Sequence, residues 1–84
     1  MSKLTNLPNI GEVLAEKLEK AGIQDEKKLK VMGSEKAFLL IKEIDPKASL
    51  NNLYSIEGAI QGVKAALLSK EKKEELKEFF LLCQ

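Results

Sequence analysis

Residues 7–23 constrain this chain most, because a turn, a helix and the stop of that helix follow one another there without a gap. Pro8-Asn9-Ile10-Gly11 forms the turn, and Asn9 and Gly11 are the two positions in it that most easily take positive φ. They flank one isoleucine that can point inward. The helix that follows reads from Gly11 to about Ala21. Val13, Leu14, Leu18 and Ala21 lie on one apolar stripe with Ala15 beside it, and Glu12, Glu16, Glu19 and Lys20 face the other way. Glu16 and Lys20 form an i, i+4 pair in the favourable order. Gly22 is the helix stop, and Ile23 just beyond it packs back on the last turn. A tight turn feeding a helix whose first N–H groups point outward is the pattern of a helix-hairpin-helix element. The chemistry such an element offers is anion binding at those unpaired N–H groups.

Size and composition set the outer limits. Eighty-four residues make one domain, 1–84, with room for one modest core. The 14 basic and 13 acidic residues leave a formal charge of +1, so any nucleic-acid contact has to come from a local patch. The chain has no histidine and a single cysteine, Cys83. That removes Ser/His and Cys/His nucleophilic catalysis, an internal disulfide and the usual metal-ligand sets. The expectation is therefore a protein without cofactor or metal, and not an enzyme. Residues 1–6 have no apolar core of a signal peptide, and no apolar run approaches the ~20 residues a membrane span needs. A cytoplasmic protein with no membrane contact is expected.

The remaining helices follow from caps and periodicity. Residues 3–6 read as a short helical turn, with Leu4 and Leu7 on one face. Asp25 caps a helix over Glu26 to Met32, with Leu29, Val31 and Met32 as its buried residues and Gly33 as its end. Ser34 is read as the cap of a helix from Glu35 to Ile44, whose inner face is Ala37, Phe38, Ile41 and Ile44, with Leu40 adjacent. Asp45-Pro46 breaks it. Ser49 caps the longest helix, from Leu50 to about Leu68. Leu50, Leu53, Tyr54, Ile60, Val63 and Leu67 lie on or near one stripe there, and Ile56 and Ala59 flank it. Gly58 and Gly62 fall inside that helix at a cost of ~1 kcal/mol each, which a close helix–helix crossing would offset. Ser69 caps a last helix whose Leu76, Phe79, Phe80 and Cys83 sit at i, i+3, i+4, i+7. No stretch alternates with period two, so the expected fold is all-α, five or six short helices around one core.

Three segments carry a family resemblance. Leu7-Pro8-Asn9-Ile10-Gly11 with Leu14-Ala15, Leu18 and Ala21-Gly22-Ile23 is the first. Leu29-x-x-Met32-Gly33-Ser34-Glu35-Lys36-Ala37-Phe38 is the second. The most specific is Ser49-Leu50-Asn51-Asn52-Leu53-Tyr54-Ser55-Ile56-Glu57-Gly58-Ala59-Ile60-Gln61-Gly62. Together, over roughly residues 4–80, they resemble the C-terminal domain of TfoX (Sxy) competence regulators. The resemblance implies a compact fold related to helix-hairpin-helix and SAM-like domains. It also implies a link to competence regulation, where full-length members act as transcriptional co-activators and carry a further N-terminal α+β domain that has no counterpart in residues 1–84. It brings no catalytic residues.

Two functional readings stand side by side. The first is a non-catalytic regulatory or protein-interaction module with a partner in the transcription machinery. Its contact candidates are Asn51, Asn52, Tyr54, Glu57, Phe80 and Leu81. Glu57 has a structural reading too, as a half-buried carboxylate holding a neighbouring helix start, such as the hairpin turn. The alternative is non-sequence-specific DNA-backbone binding at the hairpin through Asn9, Ile10, Gly11 and Val13, with Lys17 and Lys3 as the nearest cations. Glu12 opposes it, since it suits the helix dipole but repels a phosphate. Lys27, Lys28, Lys30 and the lysines of the last helix are interleaved with Asp and Glu, as on a solvated face. Leu81 and Leu82 are surplus to the last helix's stripe. They either fold back on the core or form a homodimer surface at the C-terminal helix.

Overall fold

A computed structural model of the protein describes residues 3–83, with side chains from residue 4 onward. The turn Lys3–Asn6 is a 3-10 helix. Five α-helices follow: α1 (Glu12–Lys20), α2 (Glu26–Met32), α3 (Ser34–Ile44), α4 (Leu50–Gln61) and α5 (Lys70–Leu82), with a second 3-10 turn, Ala65–Leu67, between the last two. Among the described residues there is no strand, so the fold is all-α as the sequence implies. No helix among them is long and apolar enough to cross a membrane.

α4 is the hub, packing against α2, α3, α5 and the turn Ala65–Leu67, while α1 packs on α3 and on the first 3-10 turn. Phe38, Leu4, Leu18, Ile23, Leu29, Ile41, Leu53, Ile56 and Leu76 are fully buried, so every α-helix contributes to one core. Several ends form as read. Asp25 accepts the Lys28 N–H (2.8 Å), Ser69 accepts that of Lys72 (3.1 Å), and Ser49 and Asn52 cap each other reciprocally at the start of α4. At the end of α1 the Ile23 N–H reaches Leu18 O (2.9 Å) and the Gly22 N–H reaches Glu19 O (3.0 Å), with Leu18 and Ile23 fully buried together.

Four expectations are corrected. α4 stops at Gln61 instead of near Leu68. Gly62 takes φ 75°, the Val63 N–H turns back to Gly58 O (2.9 Å) and the Gly62 N–H to Ala59 O (3.2 Å), closing the helix in the way Gly22-Ile23 closes α1. Ser34 is the first residue of α3 and not its cap. Gly33 serves at once as the end of α2 and the start of α3, which leaves the Ser34 hydroxyl free to bond elsewhere. Gly11 has an ordinary φ of −89°, so Asn9 (φ 70°) alone makes the positive-φ bend of the turn. Finally, Val13, Val31, Ile44 and Leu67 point outward, at 70%, 81%, 43% and 70% exposure. Val13, Val31 and Leu67 each neighbour a deeper residue (Leu14, Met32 and Leu68) that takes the inward place on a short helix or turn, and Ile44 is the last residue of α3.

Candidate functional site

The hairpin turn and the start of α4 come together in an open groove of ≈ 470 Å³. One wall is the first turns of α1, with Gly11, Glu12, Val13, Leu14 and Lys17. The other is Asn51, Asn52 and Ser55 of α4, with Asn9 at the inner end. Asn9 is the reason the two walls meet. Its side-chain amide donates to Val63 O (2.8 Å) and, at 3.5 Å, to Ser55 O, while its Oδ1 accepts the Ala65 N–H (3.0 Å). The short polar side chain tolerates the left-handed backbone and at the same time ties the turn to the chain leaving α4. Gly58 makes room for it. A Cβ at Gly58 would lie 2.5 Å from Asn9 Nδ2, 2.8 Å from Val63 O and 3.2 Å from Ala65 N. The glycine expected to allow a helix–helix crossing instead lets a loop and an asparagine close on α4.

At the mouth of the groove the Lys17 ammonium donates to Asp45 Oδ2 at 2.7 Å, a pair about three-tenths exposed. The Lys17 bond, and after it the Lys47 N–H on Asp45 Oδ1 (3.0 Å), hold the Asp45 carboxyl below its ordinary pKa.

Each candidate residue can now be placed. Asn9 and Lys17 line the groove with their polar atoms already engaged within the chain. Ile10 is buried beneath it, and its N–H reaches Leu7 O (3.4 Å). Gly11 and Val13 are exposed, beside first-turn N–H groups that lack a side-chain cap. Lys3 lies outside the residues whose side chains are described. Asn51 and Asn52 stand on the α4 wall of the same groove, Asn51 exposed and Asn52 engaged with Ser49.

The other partner candidates lie elsewhere. The Tyr54 hydroxyl donates to Lys73 O (3.2 Å) and fastens α4 to α5. The Glu57 carboxylate accepts from the buried Ser34 hydroxyl and from the Gln61 amide, each at 2.6 Å. The helix start it holds is that of α3, not the hairpin turn. Phe80 packs on Phe38 with ring centres 5.8 Å apart, and Lys42 Nζ lies 5.5 Å from its ring centre. Leu81 and Leu82 are exposed at 57% and 85%. Asp45 and Ser55 were not among the sequence candidates. Asp45 carried only the signal of a helix breaker before proline, and Ser55 takes part through its backbone carbonyl, which no side-chain pattern announces.

Comparisons with known proteins bear on the family and the fold. The family model for the TfoX C-terminal domain matches residues 1–80. Protein Sxy of Escherichia coli K12 is 30% identical over 77 residues, which cover 92% of this chain and 37% of that protein. The chain thus spans little more than a third of its curated relative's length. Two crystal structures of Listeria monocytogenes proteins of unestablished function are similar throughout. One, in a tetragonal form, has TM-score 0.93 and 45% identity, covering 95% of this chain and 99% of that one. The other, in a triclinic form, has TM-score 0.90 and 49% identity, covering 90% and 86%. With the match running over nearly its whole length, the chain belongs to the TfoX C-terminal domain family.

Proposed function

We propose that this domain is a non-catalytic, cytoplasmic protein-interaction module in transcriptional control of the competence type, and that it meets its partner along the groove between α1 and α4. Family membership supports the regulatory part, as does the similarity to protein Sxy. The observation that carries the contact surface is the groove itself. It brings exposed Val13 and exposed Asn51 to one open groove, an apolar and an amide contact, while Asn9 and Lys17 in it are already hydrogen-bonded within the fold. Mixed contacts of this kind are what protein interfaces use, and the net charge of +1 supplies no general field for a polyanion. The partner is a protein of the transcription machinery.

DNA-backbone binding at the hairpin is the second reading, supported by the uncapped first turn of α1 at exposed Gly11. Asn9 and Lys17 would not serve it without leaving their present bonds. One pair of variants separates the readings. Gly11→Asp is a clean probe because its φ is ordinary and a Cβ there meets nothing within 4 Å. Val13→Asp alters the groove wall at an exposed site. On the protein-contact reading, Val13→Asp abolishes activation of a competence-gene reporter in the native cell without lowering the melting temperature, and duplex DNA at moderate salt is not bound. Duplex binding that falls steeply with salt and is lost in Gly11→Asp would transfer the function to the DNA reading.

A further inference from the structure

Residues 62–69, between α4 and α5, hold a conflict between local preference and fold. Lys64-Ala65-Ala66-Leu67-Leu68 consists wholly of strong helix formers, yet α4 ends before it and only the short 3-10 turn Ala65–Leu67 forms. The departure from a helix is small. At Lys64, Leu68 and Ser69 φ is −65°, −61° and −63°, helical values, and ψ alone, at 145°, 144° and 154°, takes the chain out of one. Gly62 adds a break with its φ of 75°. A continuous helix would pair the Ala65 N–H with Gln61 O and offer Val63 O to the Leu67 N–H. Asn9 occupies both groups, accepting from Ala65 (3.0 Å) and donating to Val63 O (2.8 Å), and the Leu67 N–H goes to Lys64 O instead (2.8 Å). Leu67 is left 70% exposed, although it continues the line of Ile60 and Val63 at i, i+3 and i+7. The connection from α1 to α2 has a similar glycine stop, Gly22 at φ 90°, but no helix-forming run behind it, since Ile23-Gln24 leads straight to the Asp25 cap.

We propose that residues 62–69 are a hinge, latched by Asn9, between the folded-back arrangement described above and a straight one. In the straight state residues 50–82 form one helix about 50 Å long. α5 then leaves its own core and takes the same place on a second copy, so that two chains exchange α5. The fold itself names the occupant. The site that α5 vacates is already complementary to α5, through buried Leu76, the Phe80 ring on Phe38 and the Tyr54 hydroxyl on Lys73 O. That last bond also gives the symmetry. The midpoint between residues 54 and 73 falls inside the hinge, so two straight helices that keep this pairing run antiparallel and cross there on a two-fold axis. The Asn9 bonds and the Ser69 cap on the Lys72 N–H favour the folded-back state, because both are given up on straightening. The inference does not depend on what the α1–α4 groove binds.

Latch and hinge can be altered separately. Asn9→Gly removes the latch and keeps the backbone freedom of the turn. Gly62→Ala keeps the Asn9 side chain, strains the stop and favours the helix. Refolded from urea at about 1 mM, each variant should dimerise about tenfold more tightly than the unaltered chain in sedimentation equilibrium, and the double variant about a hundredfold. Adding Lys70→Pro to either should abolish the dimer and leave the melting temperature of the monomer unchanged. Lys70 is the first residue of α5, where proline is accepted, and Ser69 before it already has the extended ψ that proline requires, whereas in the straight helix the same proline stands in the interior. Spin labels on Cys83 and on Asn51→Cys, in dimers diluted with unlabelled chain, should lie about 48 Å apart. The folded-back domain is 33 Å in its longest extent. Variants that dimerise no more tightly than the unaltered chain overturn the proposal, as do dimers that survive Lys70→Pro or whose labels stay within the folded-back extent. Gly22→Ala, which strains the stop of α1 in the same way, overturns it too if it dimerises as Gly62→Ala does.

Discussion

Two polar clamps hold α1 against the rest of the domain, one at the inner end of the groove and one at its mouth, and they work by different physics. At the inner end the Asn9 amide is part-buried, neutral and satisfied on both sides by backbone groups of residues 63 and 65. Its strength depends on shape: a left-handed backbone at Asn9 and a bare Cα at Gly58. At the mouth, Lys17 and Asp45 make a single ionic contact at 2.7 Å in partial contact with water. Its strength depends on charge and medium, and it is indifferent to backbone conformation. The domain thus fixes the hairpin turn with a contact that solvent conditions barely touch, and steadies the middle of α1 with one that they tune.

The sharpest way to break the inner clamp is Gly58→Ala. On helix propensity alone this change gains ~1 kcal/mol. Here the added methyl falls within 3 Å of both the Asn9 amide and the Val63 carbonyl, and backbone has to move. The expected outcome is a net loss of about 3–4 kcal/mol, from overpacking and from release of the Asn9 bonds. A lower urea midpoint at unchanged m-value would register it; a midpoint that rises would mean that the packing around Gly58 is looser than these distances indicate.

Asn9→Ala comes next. It removes the partners of Val63 O and Ala65 N–H, at about 1 kcal/mol each, and places a non-glycine residue without a compensating side chain at φ 70°. A loss of about 2–3 kcal/mol is expected. Asn9→Gly restores the backbone freedom and not the bonds, so it should recover about 1 kcal/mol of that loss. Combining Asn9→Gly with Gly58→Ala should cost less than the sum of the two, because one of the atoms that the new methyl meets is gone. Strict additivity in urea melts would separate Gly58 from the clamp.

The contrast between the clamps also explains what could be read from the sequence. Local signals translated well. The bounds of α2, the Asp25, Ser49 and Ser69 caps, the Gly22-Ile23 stop and the Glu16–Lys20 pair all depend on residues within five positions of one another. Gly62-Val63 carries the same stop signal as Gly22-Ile23. It was hidden because apolar residues continue beyond it at helical spacing, although Leu67 among them faces solvent. Contacts across the chain stayed out of reach. Asn9 meets residues 54 and 56 positions away, and Lys17 meets Asp45 across 28. Nothing in the Pro8–Gly11 turn says that its asparagine is satisfied internally, so its amide read as available to a phosphate. The groove was half legible for the same reason. Each wall offers contact candidates in the sequence, for different ligands, and only the tertiary fold brings Val13 and Asn51 to one groove.

The mouth clamp should give the smallest effect and the one with a pH signature. The folded-state pKa of Asp45 lies below the ordinary aspartate value near 3.8, chiefly through the Lys17 bond and then through the Lys47 N–H. A carboxyl whose pKa is depressed on folding binds its proton less tightly in the folded state. Its contribution is therefore fully present above the unfolded value and is lost as pH falls through the folded one. Asp45→Asn should consequently lower stability slightly near neutrality, and the difference from the unaltered chain should persist down to the ordinary aspartate value near 3.8 and fade only as pH falls further, through the depressed folded-state pKa, as Asp45 itself becomes protonated. Added salt should narrow the difference at neutral pH, since the pair is partly exposed, while leaving the Asn9 variants unmoved. Thermal melts of the two proteins from pH 7 down to about pH 2, at low and high salt, measure both trends. A difference that persists unchanged into acid would show that Asp45 acts there through its backbone turn before Pro46, and that the amide at the other end of the groove is the one polar clamp on α1 that matters.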